Sequence, residues 1–138
     1  MTAISIGVGG AVAAIDGPFS WGLFAATLLG AVFLHAGTNL INDYYDVQRG
    51  VDTVAAATAQ YRPHPLVEGK LRPKSVLAAS YLLLVLGAGL GLWLAAERGW
   101  PILAIGVVGV LASVTYTAPP LSYKYIALGE FSVFLMWG

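Results

Sequence analysis

The chain has 138 residues, no formal net charge at neutral pH, 58% hydrophobic residues and 10% charged ones. A soluble domain carries about 25% charged residues, so an ordinary water-soluble globule is excluded. So are a disordered tail and a nucleic-acid binder, since no basic stripe exists. The absence of cysteine removes disulfide frameworks, thiolate zinc sites and cysteine nucleophiles. What remains is an all-α integral membrane protein, a multi-span transmembrane helix bundle.

Residues 4–15 are apolar but too short for a full span, and Asp16-Gly17-Pro18 makes a turn after them. Ala11-Val12-Ala13 fits a signal-peptide cleavage pattern, yet no Lys or Arg precedes it, so a partial span is the better reading. Residues 19–41 carry no formal charge and are long enough to cross a bilayer as a helix, which satisfies its own backbone in lipid. A polar loop, 42–75, follows. Residues 76–96 form the next uncharged span, in which Gly87 and Gly91 have the GxxxG spacing of close helix packing. Residues 100–116 form another, ended by Pro119-Pro120. The stretch 126–138 is a final partial span, apolar and uncapped. Five of the seven basic residues fall in 42–75. The positive-inside rule therefore places that loop in the cytoplasm of a multi-pass cell-membrane protein. Alternation brings the 117–125 loop, with Lys124, to the same side.

The 19–41 span runs into Asn39-Leu-Ile-Asn42-Asp43-Tyr44-Tyr45-Asp46-Val-Gln-Arg49-Gly50-Val-Asp52. On a helix, Asn39, Asn42, Asp43 and Asp46 share a sector of roughly 100°, with His35 and Arg49 on or beside it. Three acids in ten residues repel one another unless a cation sits among them, and hard oxygen donors suit Mg²⁺. A solvated helix end with scattered Asp is the bland alternative. Against it, Asp is unfavourable near a helix C-terminus, so a helix running through Asp46 points to a compensating ligand. His35 is as readily a packing residue as a functional one. The loop then supplies cations. Lys70, Arg72 and Lys74 read best as topology-setting and headgroup contacts. Arg62, held in a defined path by Pro63 and Pro65, reads as a diphosphate contact. Acids for a metal and bases for phosphate, at the mouth of an apolar bundle, point to a substrate with a diphosphate head and a lipid tail.

Asn42-Asp43-Tyr44-Tyr45-Asp46, followed by Arg49-Gly50-Val51-Asp52-Thr53, resembles the first aspartate-rich motif of the UbiA superfamily of intramembrane prenyltransferases. Its NDYxDxxxGxD form resembles the branch that prenylates 1,4-dihydroxy-2-naphthoate in menaquinone biosynthesis. Leu34-His35-Ala-Gly-Thr-Asn39 resembles the family's lead-in, Arg62-Pro-His-Pro-Leu66-Val-Glu-Gly69 its RPLVxG loop, and Tyr116 to Tyr125 with Leu128-Gly129-Glu130 its YTxxPxxLxYxxLGE segment. The resemblance implies Mg²⁺-assisted transfer of a polyprenyl group from its diphosphate to an aromatic acceptor. Asp43, Asp46 and Asp52 would hold metal and diphosphate, and Asn39 and Asn42 would orient them or bind phosphate. Arg62 would contact diphosphate with help from Lys124, and Tyr116 would face the developing cation. Tyr116 reads equally well as an interfacial anchor.

The family has about nine spans, an Arg-Pro-containing first helix and a second aspartate-rich motif. Residues 1–138 therefore read as a partial domain, about half of that fold, either a natural half-protein or a truncated sequence. It would be inactive without its partner, the missing C-terminal half. A divalent-cation or proton transporter component stays open, as does a non-catalytic membrane partner. A cation path gains little from the basic loop, however, whereas a diphosphate site needs it. Homogentisate, 4-hydroxybenzoate and glyceryl-phosphate acceptors also remain open.

Overall fold

A computed structural model describes residues 2–56, 61, 63–131 and 134. These residues form four α-helices, α1 (Thr2–Asp16), α2 (Trp21–Gln48), α3 (Pro73–Arg98) and α4 (Trp100–Thr117), then one 3₁₀ turn, Tyr123–Ile126. No strand occurs among the described residues. Helices α2, α3 and α4 are long and apolar enough to cross a membrane, with mean hydropathies of 1.5, 2.0 and 1.7. Their large apolar side chains point outward, as Leu82, Val85, Ile105 and Val108 do, which suits a lipid environment rather than water. Arg62 lies outside the described residues, and so do residues 132, 133 and 135–138 of the expected last span, 126–138.

The core is the seam between α2 and α3, and backbone proximity makes it. A Cβ on Gly37 would lie 2.9 Å from the Ser80 carbonyl oxygen, and one on Gly87 would lie 3.0 Å from the Gly30 carbonyl. Small residues thus let the two helices approach closely, the usual basis of helix association in lipid. The GxxxG pair does not act as a unit: Gly87 sits in the seam, while Gly91 faces open space. Gly37→Ala should therefore cost about 1–3 kcal/mol of stability by overpacking. Gly89→Ala, whose Cβ would meet nothing within 4 Å, should gain up to about 1 kcal/mol through helix propensity. Unfolding midpoints in mixed micelles distinguish the two signs.

Connections set the polarity of the bundle. Gly99 alone joins α3 to α4, at φ +96°, a conformation that favours glycine. At the start of α2, Ser20 accepts from the Leu23 amide and Phe19, Trp21 and Phe24 pack edge to face or tilted. This aromatic cluster, with Trp100 opening α4, marks one end as an interfacial belt. The described residues of the polar segments 49–72 and 118–127 gather at the other end.

A polar cluster at the end of helix α2

Helix α2 continues two turns beyond the apolar stretch 19–41 and carries Asn42, Asp43 and Asp46 on its last turns. An acid so near a helix C-terminus is unfavourable by itself. Asp46 is only 3% exposed, and its partners come from the far end of the chain. Lys124 Nζ donates to Asp46 Oδ2 at 2.6 Å and to Asn42 Oδ1 at 3.0 Å, and the Tyr125 hydroxyl donates to Asp46 Oδ1 at 2.8 Å. Lys124 is thus the charge that offsets Asp46, where the sequence pointed to a bound ligand. Burial, and then the hydrogen bond to Asp46, push the Tyr125 phenol well above its ordinary pKa and keep it a donor.

The segment carrying these partners is pinned from both sides. Arg49 Nη2 donates to Ser122 Oγ at 2.8 Å, and its guanidinium lies 4.2 Å from the Tyr125 ring centroid. Ser122 Oγ donates in turn to the Thr117 carbonyl. Tyr123 donates its hydroxyl to the Ala112 carbonyl and packs edge-on against Tyr116, with centroids 5.4 Å apart.

A second cluster stands beside the first. One ligand atom each from Asp43, Asp52 and His64 lie within 4.8 Å of one another. After α2 ends, Gly50 at φ +70° turns the chain, and the Val51 and Asp52 amides donate back to the Asp46 carbonyl. That turn brings Asp52 beside Asp43. His64 Nε2 is 3.2 Å from Asp52 Oδ2. The His64 loop is closed by Glu68, whose carboxylate accepts from the His64 amide at 3.0 Å and also pairs with Lys70. The Lys70 hydrogen bond, then the His64 amide, hold the Glu68 carboxyl below its usual range.

A cleft of about 550 Å³ opens from the first cluster into the apolar bundle. Its polar end is His35, Asn39, Asn42, Tyr116 and Tyr123; its apolar walls include Leu34, Leu84, Ile105 and Val110. Asn42 belongs to both cleft and cluster. Lys124 Nζ lies 5.9 Å from the Tyr116 ring centroid, so the cation also stands near the cleft wall.

The residues singled out in the sequence therefore divide. Asn42, Asp46 and Lys124 meet directly. Asp43 and Asp52 meet each other, and Asn39 and Tyr116 line the cleft. Asp46 is engaged by Lys124 rather than grouped with the other two acids. Tyr125 and His64 were not picked out as site residues. Their signals were adjacency to Lys124 and a place between Pro63 and Pro65.

The model of the family described as "UbiA prenyltransferase family" matches residues 3–138. The 1,4-dihydroxy-2-naphthoate octaprenyltransferase of Bacillus subtilis (strain 168) is 34% identical over 78% of this chain and 34% of its own length. The Mycobacterium tuberculosis (strain ATCC 25618 / H37Rv) protein of the same name is 35% identical over 86% of this chain and 39% of its own length. The chloroplastic chlorophyll synthase of Oryza sativa subsp. japonica is 32% identical over 91% of this chain and 35% of its own length. The chain thus spans little more than a third of the length of these relatives. No solved structure matches it.

Proposed function

We propose, since the chain belongs to the UbiA prenyltransferase family and is a membrane protein with three apolar helices of spanning length, that these residues form the diphosphate-binding end of a polyprenyltransferase. The activity is proposed for an enzyme of the relatives' length that contains them. The observation that carries the reading is the juxtaposition of the Asp43–Asp52 pair, the Asn42–Asp46–Lys124 cluster and the mouth of a mostly apolar cleft.

The donor set fits a divalent cation, because two carboxylates already stand with ligand atoms within 4.8 Å of one another in a half-buried setting. Asp43 and Asp52 would hold Mg²⁺, with Asp46 in reach of the diphosphate through Lys124. When bound, Mg²⁺ supplies positive charge to the departing diphosphate. Lys124, already at the acidic cluster, gives phosphate oxygens a charge-assisted donor, and Asn42 orients it. Arg62 is proposed as a second cation on the strength of the family pattern. The cleft takes the prenyl chain and excludes water from the allylic carbon. As the C–O bond breaks, its electron pair leaves with diphosphate, and a ring carbon of the acceptor forms the new C–C bond. Tyr116 offers its ring face to the charge that develops.

The acceptor we propose is 1,4-dihydroxy-2-naphthoate, which loses its carboxylate as CO₂ in the overall reaction. The names of two relatives and the NDYxDxxxGxD form support it. An assay of membranes with Mg²⁺, a polyprenyl diphosphate and a panel of aromatic acceptors tests it. Prenylated naphthoquinol should dominate; a product from 4-hydroxybenzoate or homogentisate alone would reassign the acceptor.

We also propose that the polar end faces the cytoplasm. Val54, 78% exposed in that end's first loop, gives the test. Val54→Cys should react with a membrane-impermeant thiol reagent in inverted vesicles and not in intact cells. Labelling of intact cells would reverse the orientation.

A further inference from the structure

His64 is 3% exposed, and nothing above gives it a part in the chemistry. Both of its ring nitrogens are engaged. The Val67 amide donates to Nδ1 at 3.4 Å, while Nε2 faces Asp52 Oδ2 at 3.2 Å. A backbone N–H can only donate, so Nδ1 holds a lone pair and the neutral ring carries its proton on Nε2. A histidine that binds metal through Nε2 needs the opposite arrangement: its Nδ1–H donates outward, to a carbonyl or carboxylate. Here that proton would collide with the Val67 N–H. The ring is further fixed by the His64 amide on Glu68 and by the flanking prolines.

We propose that His64 is a positioning residue, not a cation ligand. Its Nε2–H donates to Asp52 and holds that carboxylate in register with Asp43. The group of three potential ligands is then two carboxylates and one support. Asp52 lies past Gly50 on a turn rather than on α2, so the helix alone does not fix its carboxylate. His64 supplies that constraint from a second loop. The role at the cation rests on the function proposed above; the tautomer does not.

Two readouts test it on the chain in lipid nanodiscs. In ¹⁵N-histidine-labelled, metal-free protein, the His64 imidazole, identified by its loss in His64→Gln, should show a protonated Nε2 and a bare Nδ1. A proton on Nδ1 overturns the proposal. Mn²⁺ binding followed by electron paramagnetic resonance then compares His64→Leu with His64→Gln, which keeps a side-chain N–H donor. His64→Leu should weaken binding about 10- to 100-fold, as loss of a supporting partner does, and His64→Gln should recover most of it. Pulsed spectra of the wild type should lack the coupling of a directly bonded imidazole nitrogen. That coupling, or tight binding by His64→Leu where Asp43→Asn has lost it, overturns the proposal. Undiminished binding by Asp43→Asn and Asp52→Asn would instead refute the cation site, leaving the tautomer to be decided by the nitrogen spectra.

Discussion

Asp43→Ala is expected to lower Mg²⁺-dependent prenyl transfer by about a hundredfold or more, with the protein still folded in the membrane. Asp43 is half-buried at the surface of α2, and removing it opens no core cavity. It does remove one of the two carboxylates that stand together. Charge stabilisation aimed at a leaving group is worth about 10²–10³ in rate per group removed. The loss should follow from weakened binding of Mg²⁺ and diphosphate, so the half-maximal rate should need far more Mg²⁺. Initial rates across a Mg²⁺ titration, with far-ultraviolet circular dichroism as the folding control, check both. Asp46→Ala should also abolish transfer, but by a different route, because it also releases the 122–127 segment.

Lys124→Met is the second large effect. It strips the cation from a carboxylate whose side chain is 4% exposed. Removing one partner of a buried pair costs about 3–5 kcal/mol, because the remaining charge is stranded. Tyr125 still donates to Asp46, which places the expected loss near the lower figure, about 3 kcal/mol. The double variant Asp46→Asn/Lys124→Met should recover much of the stability and none of the activity. A purely structural pair would recover both. Unfolding midpoints and transfer rates for the four proteins of the cycle separate the two cases.

Much of this site was legible in the residues. The run Asn42-Asp43-x-x-Asp46 and Asp52, the apolar helix before them and the basic loop after them could be read directly, because composition and helical spacing report on them. The length of α2 was harder. Its apolar stretch stops at Ile41, yet the helix runs to Gln48, since Lys124 offsets the acids at its end. That partner lies 78 residues away, and no local pattern gives its distance. The division of the acids into two clusters was hidden for the same reason. On a helical wheel Asp43 and Asp46 share one face, but the turn at Gly50 brings Asp52 to Asp43, while the 122–127 segment claims Asp46. His64 was read only as part of a proline-rich loop, because its role depends on which backbone amide meets Nδ1. The glycine seam was half visible: Gly87 packs, but against Leu34 and Gly30 of α2 rather than through Gly91.

The central claim is that the polar end of α2, with the two loops that cover it, binds a diphosphate through a divalent cation. The most direct measurement is the binding of an unreactive polyprenyl thiolodiphosphate in lipid nanodiscs, with and without Mg²⁺, to wild type and to Asp43→Ala. The account predicts binding that requires Mg²⁺ and disappears in Asp43→Ala. Equal binding without Mg²⁺, or binding that survives the loss of Asp43, would contradict it.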